Sequence, residues 1–119
     1  MANHNKFGKL GEKMAKEHLL ASGYEICAQN YRFQKAEVDI IALKRDVLVI
    51  VEVKSRNKGF LEDISEVIHP KKVKLLALAA NQYVEENDLD LEVRFDVITV
   101  IKNREKFEIE HFENAFYFF

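Results

Sequence analysis

Cysteine is nearly missing from this chain, and proline, glycine and long apolar runs are scarce too. The lone Cys27 in 119 residues excludes an internal disulfide, so the fold must rest on its core, and such thiol usage fits a reducing cytoplasm. One proline and four glycines leave little room for a flexible linker, and no internal repeat or low-complexity tract is present. A single domain over residues 1–119 is therefore expected, long enough for one modest core. The longest unbroken apolar stretch, Leu75 to Ala80, is too short to span a bilayer, so no membrane partner is expected. The opening Met-Ala-Asn-His-Asn-Lys lacks the apolar centre of a signal peptide. Positive charge is not in excess either. Eighteen bases against 20 acids give a net charge of −2, which is not that of a general nucleic-acid coat protein.

What is present is a pattern of alternating elements. Hydrophobic residues make up 48% of the chain, which argues for a packed fold over disorder. Phe7, Leu10, Met14, Ala15 and Leu19 recur at helical spacing over residues 6–22, and Gly23 follows as a terminator. Residues 24–33, 37–43 and 47–54 read as strands, the last two joined by a tight turn through Lys44-Arg45-Asp46. Residues 55–69 form a long polar connection of the kind that often carries function. Pro70 suits the first turn of a helix, with His69 as its cap, and Val73, Leu76, Ala77, Ala80, Tyr83 and Val84 give that helix a core face. Residues 92–101 and 107–112 read as two further strands. The order α-β-β-β-α-β-β points to an α/β fold, a mixed sheet flanked by helices, with the fourth strand parallel to an earlier one.

Charges embedded in the strands carry the chemical interest. Val47-Leu-Val-Ile-Val-Glu-Val-Lys54 reads as a buried strand, yet it holds Glu52 and Lys54 on one face. Glu37 and Asp39 share a face of the preceding strand, with Val38 and Ile40 on the other. In a hairpin, Asp39, Glu52 and Lys54 can converge at one edge of the sheet. Mg²⁺ prefers oxygen ligands and retains waters, so two carboxylates and the Val53 carbonyl suffice to hold it, with Lys54 placed to orient a water or meet charge on a phosphate. The competing reading is a salt bridge of Lys54 with Glu52 or Asp39, and the spacing alone leaves both open. Glu12 lies on a helix face of small residues, where an acid is unusual unless partnered. Glu37 is a further acid on the Asp39 face or a partner for Lys54.

Bases cluster between Lys54 and Lys74, while residues 85–92 hold five acids and no base. Arg32, Arg56, Lys58, Lys71, Lys72 and Lys74 are candidates for phosphate contact, and solvated helix ends are the alternative. Lys71 and Lys72 oppose the helix dipole, which favours anions at that end. His4, His18, His69 and His111 show no metal-ligand spacing, Cys27 reads as core, and Gln82 as a structural hydrogen-bonder. The closing Ala-Phe-Tyr-Phe-Phe119 is expected to dock on its own domain or to meet a partner.

The residues Gly8-x-x-Gly11-Glu12-x-x-Ala15, Gly23-Tyr24, Asn30-Tyr31-Arg32, Glu37-Val-Asp39-Ile-Ile-Ala42, Val51-Glu-Val-Lys-Ser-Arg56 and Pro70-Lys-Lys72 with Ala79-Ala80 resemble the YraN family. That family is similar to the PD-(D/E)XK nucleases and to Holliday junction resolvases, and the likeness runs from about Phe7 to Val100. The resemblance implies a restriction-endonuclease-like fold and a Mg²⁺- or Mn²⁺-dependent nuclease hydrolysing DNA, branched or otherwise structured, in preference to RNA. It assigns catalysis to Asp39, Glu52 and Lys54, and metal support to Glu12. Resolvase kinship further implies a homodimer. A non-cleaving nucleic-acid-binding module on the same fold is the alternative. Ala36 stands where the family usually has glycine, so strain is expected there if that position needs φ > 0.

Overall fold

The computed structural model describes residues 2–58 and 69–115, with side chains of the first helix described from Lys6 onward. Most of the predicted polar connection and the last four aromatic residues, with the expectation that they dock, lie outside the described residues. The elements are α1 (Ala2–Ala21), β1 (Glu25–Phe33), β2 (Ala36–Lys44), β3 (Val47–Asn57), α2 (Pro70–Glu86), β4 (Glu92–Asn103) and β5 (Lys106–Phe112). Among the described residues the predicted order is the observed one.

The strands form one sheet in sequence order, β1-β2-β3-β4-β5. All neighbours are antiparallel except β3 and β4, which run parallel from Val47↔Glu92 to Asn57↔Lys102. A parallel pair needs a crossover, and α2 supplies it. The helices flank the sheet. On one side Ala15 and Leu19 of α1 pack with Tyr24, Ile40, Val49, Val51, Ile98 and Val100. On the other, Leu76, Ala79 and Ala80 of α2 pack with Val38, Ile41, Leu48, Ile50 and Val97. The near-continuous apolar run Leu48–Val51 follows from this arrangement, because β3 is covered on both faces.

One register detail departs from simple alternation. Val38 joins the α2-side cluster, whereas Ile40 joins the α1-side cluster. The faces switch at Asp39, beside Asn30 of β1, whose φ of 51° marks an irregular strand. The sequence expectation that Val38 and Ile40 share a face is thus corrected. The predicted strain at Ala36 is also absent. Ala36 begins β2, only 1% exposed, and the left-handed turn residue is Gln34 at φ 56°.

Candidate functional site

The β2–β3 ladder runs from Lys44↔Val47 to Ile40↔Val51 and stops where the faces of β2 switch. Asp39 therefore lies just past the last paired residue, and its Oδ2 accepts the Val53 backbone N–H at 2.8 Å. A strand residue sends its N–H and C=O to the same edge, so the Val53 carbonyl emerges on the Asp39 side as well. Glu52 points to the α2 face and is 5% exposed. Its Oε1 lies 3.7 Å from Lys54 Nζ, and its Oε2 lies 3.4 Å from Lys72 Nζ on the first turn of α2. Despite that ion pair, Oε2 is buried with no hydrogen-bond partner.

Burial and the Asp39 charge push the Glu52 carboxyl up to about 7, against the pull of Lys72 and Lys54. Burial likewise raises Asp39, opposed by the Val53 N–H and by Lys72. Glu12 reaches toward the same charges from α1, and its carboxyl is raised by burial and by Asp39 and Glu37. Glu12, Asp39, Val53 and Lys54 line a recess of about 160 Å³ together with Phe7, Gly8, Ser55 and Arg56. Gly11 lets α1 approach this closely, since a Cβ there would lie 1.8 Å from Ser55 Oγ. Among the described residues no three His, Cys, Asp or Glu side chains are gathered as a ready metal cage. Two carboxylates, one with an orphaned buried oxygen, beside a backbone carbonyl fit a hard divalent cation that keeps several waters.

The remaining predicted residues divide. Arg56 lines the recess and its guanidinium donates to the Ser55 carbonyl at 2.8 Å. Lys58 follows the end of β3, exposed, its backbone N–H on the Lys102 carbonyl. Lys71 is exposed at the start of α2, where His69 is the cap and its ring accepts the Lys71 N–H at 3.2 Å. Lys72 instead turns inward to Glu52. Arg32 pairs with Glu37 at 2.9 Å out on the β1–β2 face, which gives Glu37 a partner other than Lys54. Gln82 makes an exposed contact with Glu86 at 3.4 Å. Cys27 is exposed, correcting its assignment to the core, because it lies at the register shift between Ile26 and Ala28.

Sequence reasoning missed a second polar centre. Asp96 on β4 is fully buried and accepts four hydrogen bonds: two from Arg94 at 2.9 Å, one from His111 at 2.7 Å and one from the Asn114 N–H at 2.9 Å. Arg94 also donates to the Tyr24 hydroxyl at 2.6 Å. Donation by His111 Nε2 leaves its Nδ1 to accept from His18, 3.2 Å away. Burial would raise the Asp96 carboxyl, yet these donors hold it below its ordinary value. Arg94-x-Asp96 on one strand face is the same signal as Glu52-x-Lys54 and was available in the sequence. The two histidines were not, being 93 positions apart.

A five-stranded mixed sheet between the two described helices, with Asp39 and Glu52 where the central hairpin splits, defines the restriction-endonuclease-like α/β class. Residues 11–100 match the model of the uncharacterised protein family UPF0102. A UPF0102 protein of Flavobacterium psychrophilum is 53% identical over the full length of both chains. One from Christiangramia forsetii is 48% identical, again over both full lengths. A third, from Parabacteroides distasonis, is 41% identical over 98% of this chain and 97% of its own. The chain belongs to the UPF0102 family, which is the YraN family of the sequence resemblance.

Proposed function

We propose that the protein is a divalent-metal-dependent nuclease that hydrolyses phosphodiester bonds in structured DNA. The observation that carries this reading is Glu52: a buried acid beside Asp39, raised to about 7, whose Oε2 has only the Lys72 ammonium at 3.4 Å and no well-aligned hydrogen bond. A buried carboxyl with such incomplete partners is strained as it stands, and a bound cation would satisfy it. Asp39, Glu52 and the Val53 carbonyl would hold Mg²⁺ or Mn²⁺, with Glu12 supporting from α1. When bound, the ion supplies Lewis acidity toward a phosphate oxygen and lowers the pKa of a coordinated water.

The chain's own residues do the rest. Lys54 lines the recess beside Asp39, where its ammonium can orient the attacking water and donate to a non-bridging phosphate oxygen. Lys54 and Lys72 neutralise Glu52 in the apoprotein, so cation binding would leave two ammonium groups to attract the phosphate. Arg56 lines the same recess, and Lys58 lies just beyond the strand that carries it. Lys71 is exposed on the first turn of α2, next to the Lys72 that reaches Glu52. A four-way junction would call for two copies, since its symmetry is two-fold. Among the described residues no helix is long and apolar enough to cross a membrane. The lone, exposed Cys27 supports a cytoplasmic setting.

The test is a Mg²⁺ and Mn²⁺ titration with labelled linear, flapped and four-way-junction DNA, run beside Asp39→Ala. Metal-dependent cleavage lost in the variant is the expected result. Binding without cleavage by either protein would replace the nuclease with a non-cleaving binding module. Absence of both on every DNA would overturn the DNA reading.

A further inference from the structure

A second recess adjoins the first. It holds about 380 Å³ and is lined by Lys6, Phe7, Leu10, Asn57, Lys102 and Phe107. Phe7 lines both recesses, so the two adjoin on either side of one aromatic ring. Asn57 pairs with Lys102 across β3–β4, and Lys102 with Phe107 across β4–β5. These three side chains therefore form one row on the α1 face of the sheet, just beyond the start of the helix. Lys6, Asn57 and Lys102 are exposed, and Leu10 is 40% exposed. The Phe7 and Phe107 rings stand 6.2 Å apart and tilted by 50°, each half-buried. No acid is among the described residues lining this recess.

Apolar rings flanked by lysines in an open groove are what an unpaired nucleic-acid strand needs. Bases stack on aromatic faces while the backbone follows the positive charge. The volume falls in the range of about 300–1,000 Å³ typical of small-ligand sites. Simple packing of α1 on β5 explains why two phenylalanines meet, but not why two exposed lysines border them next to the recess that holds Asp39.

We infer that this recess is a single-stranded DNA subsite, in which Phe7 and Phe107 stack an unpaired base and Lys6 and Lys102 hold the flanking phosphates. The inference builds on the nuclease reading in one respect: the strand it holds would continue past Phe7 to the acids.

Binding of a fluorescent oligothymidylate and of a blunt duplex of equal length should be followed by anisotropy in EDTA, where no cleavage occurs. The wild-type protein is expected to prefer the single strand. Phe7→Leu and Phe107→Leu keep apolar bulk but remove the stacking face, and each should weaken single-strand binding by about fivefold or more. Lys102→Glu, on an exposed position that the fold does not need, should weaken it as well. It should also flatten the salt dependence by about 0.7 in log–log slope for each phosphate no longer neutralised. Equal affinity for duplex and single strand, or wild-type affinity in both leucine variants, would overturn the subsite. If these binding effects appear while no DNA is cleaved in Mg²⁺, the nuclease reading falls and the subsite stands. Cleavage with both leucine variants binding normally removes the subsite alone.

Discussion

Asp96 and Glu52 are both buried acids on the parallel central pair of strands, yet their surroundings treat them oppositely. Asp96 has both oxygens fully used, by a guanidinium, an imidazole and a backbone N–H held within 2.9 Å. Glu52 has two flexible ammonium groups at 3.4 and 3.7 Å and an oxygen with no hydrogen bond. The first carboxyl is held below its ordinary value and the second is pushed up to about 7. A buried charge with complete partners ties the fold together, here joining α1, β4, β5 and the turn after β5. One with incomplete partners is poised for something that arrives from outside.

The contrast can be broken most forcefully at Asp96. Asp96→Ala strands the Arg94 guanidinium in a partly buried site, and loss of about 3–5 kcal/mol in urea unfolding is expected. Loss below about 1 kcal/mol would show that the network is not structural.

Glu52 should behave in the opposite sense. Its folded carboxyl holds a proton up to about pH 7, while the unfolded one releases it near the ordinary 4.5. The folded state thus binds more protons in that window, and this group's contribution to stability falls as pH rises through it. In EDTA, Glu52→Gln should stabilise the protein at pH 8 by up to about 3 kcal/mol and change little near pH 4. Added Mg²⁺ should stabilise the wild-type protein at pH 8 more than the variant. The Asp96 contribution has the reverse sign. It is present above the ordinary 3.8 and is lost only as pH falls through the lowered folded value, so the carboxyl's own titration leaves the cost of Asp96→Ala unchanged between pH 5 and pH 8. A Glu52→Gln difference that does not vary with pH would erase the distinction between the two sites.

A smaller test lies on α1, whose start serves the Glu12 recess and whose end, through His18, serves Asp96. Gly11→Ala forces a Cβ against Ser55 Oγ and should cost about 1–3 kcal/mol. Gly8→Ala meets nothing within 4 Å and should stabilise the helix by about 0.5–1 kcal/mol. Thermal melts of the two variants should move in opposite directions. A shared direction would mean that α1 does not press on β3 at Ser55.

Much of the fold could be read from periodicity alone, because both helices show a 3.6-residue apolar stripe and β3 shows a continuous one. The Pro70 start, the His69 cap and the parallel crossover were legible for the same local reasons. Asp39, Glu52 and Lys54 were legible as a group because charges in a buried strand violate its composition. Lys72 was assigned to phosphate from its place at the helix start, and only the packing of α2 over β3 turned it toward Glu52.

The sequence by itself determined the elements, their order and the acids worth watching, since these depend on neighbours within a few residues. Tertiary structure decided the rest. The face switch at Asp39 depends on β1 lying alongside with its own irregularity at Asn30. The Asp96 network joins Tyr24, Arg94 and His111 from three segments of the chain, and the recess beside Phe7 exists only where α1 crosses the ends of β3, β4 and β5. Such contacts are set by the register and packing of distant segments, which no local pattern encodes.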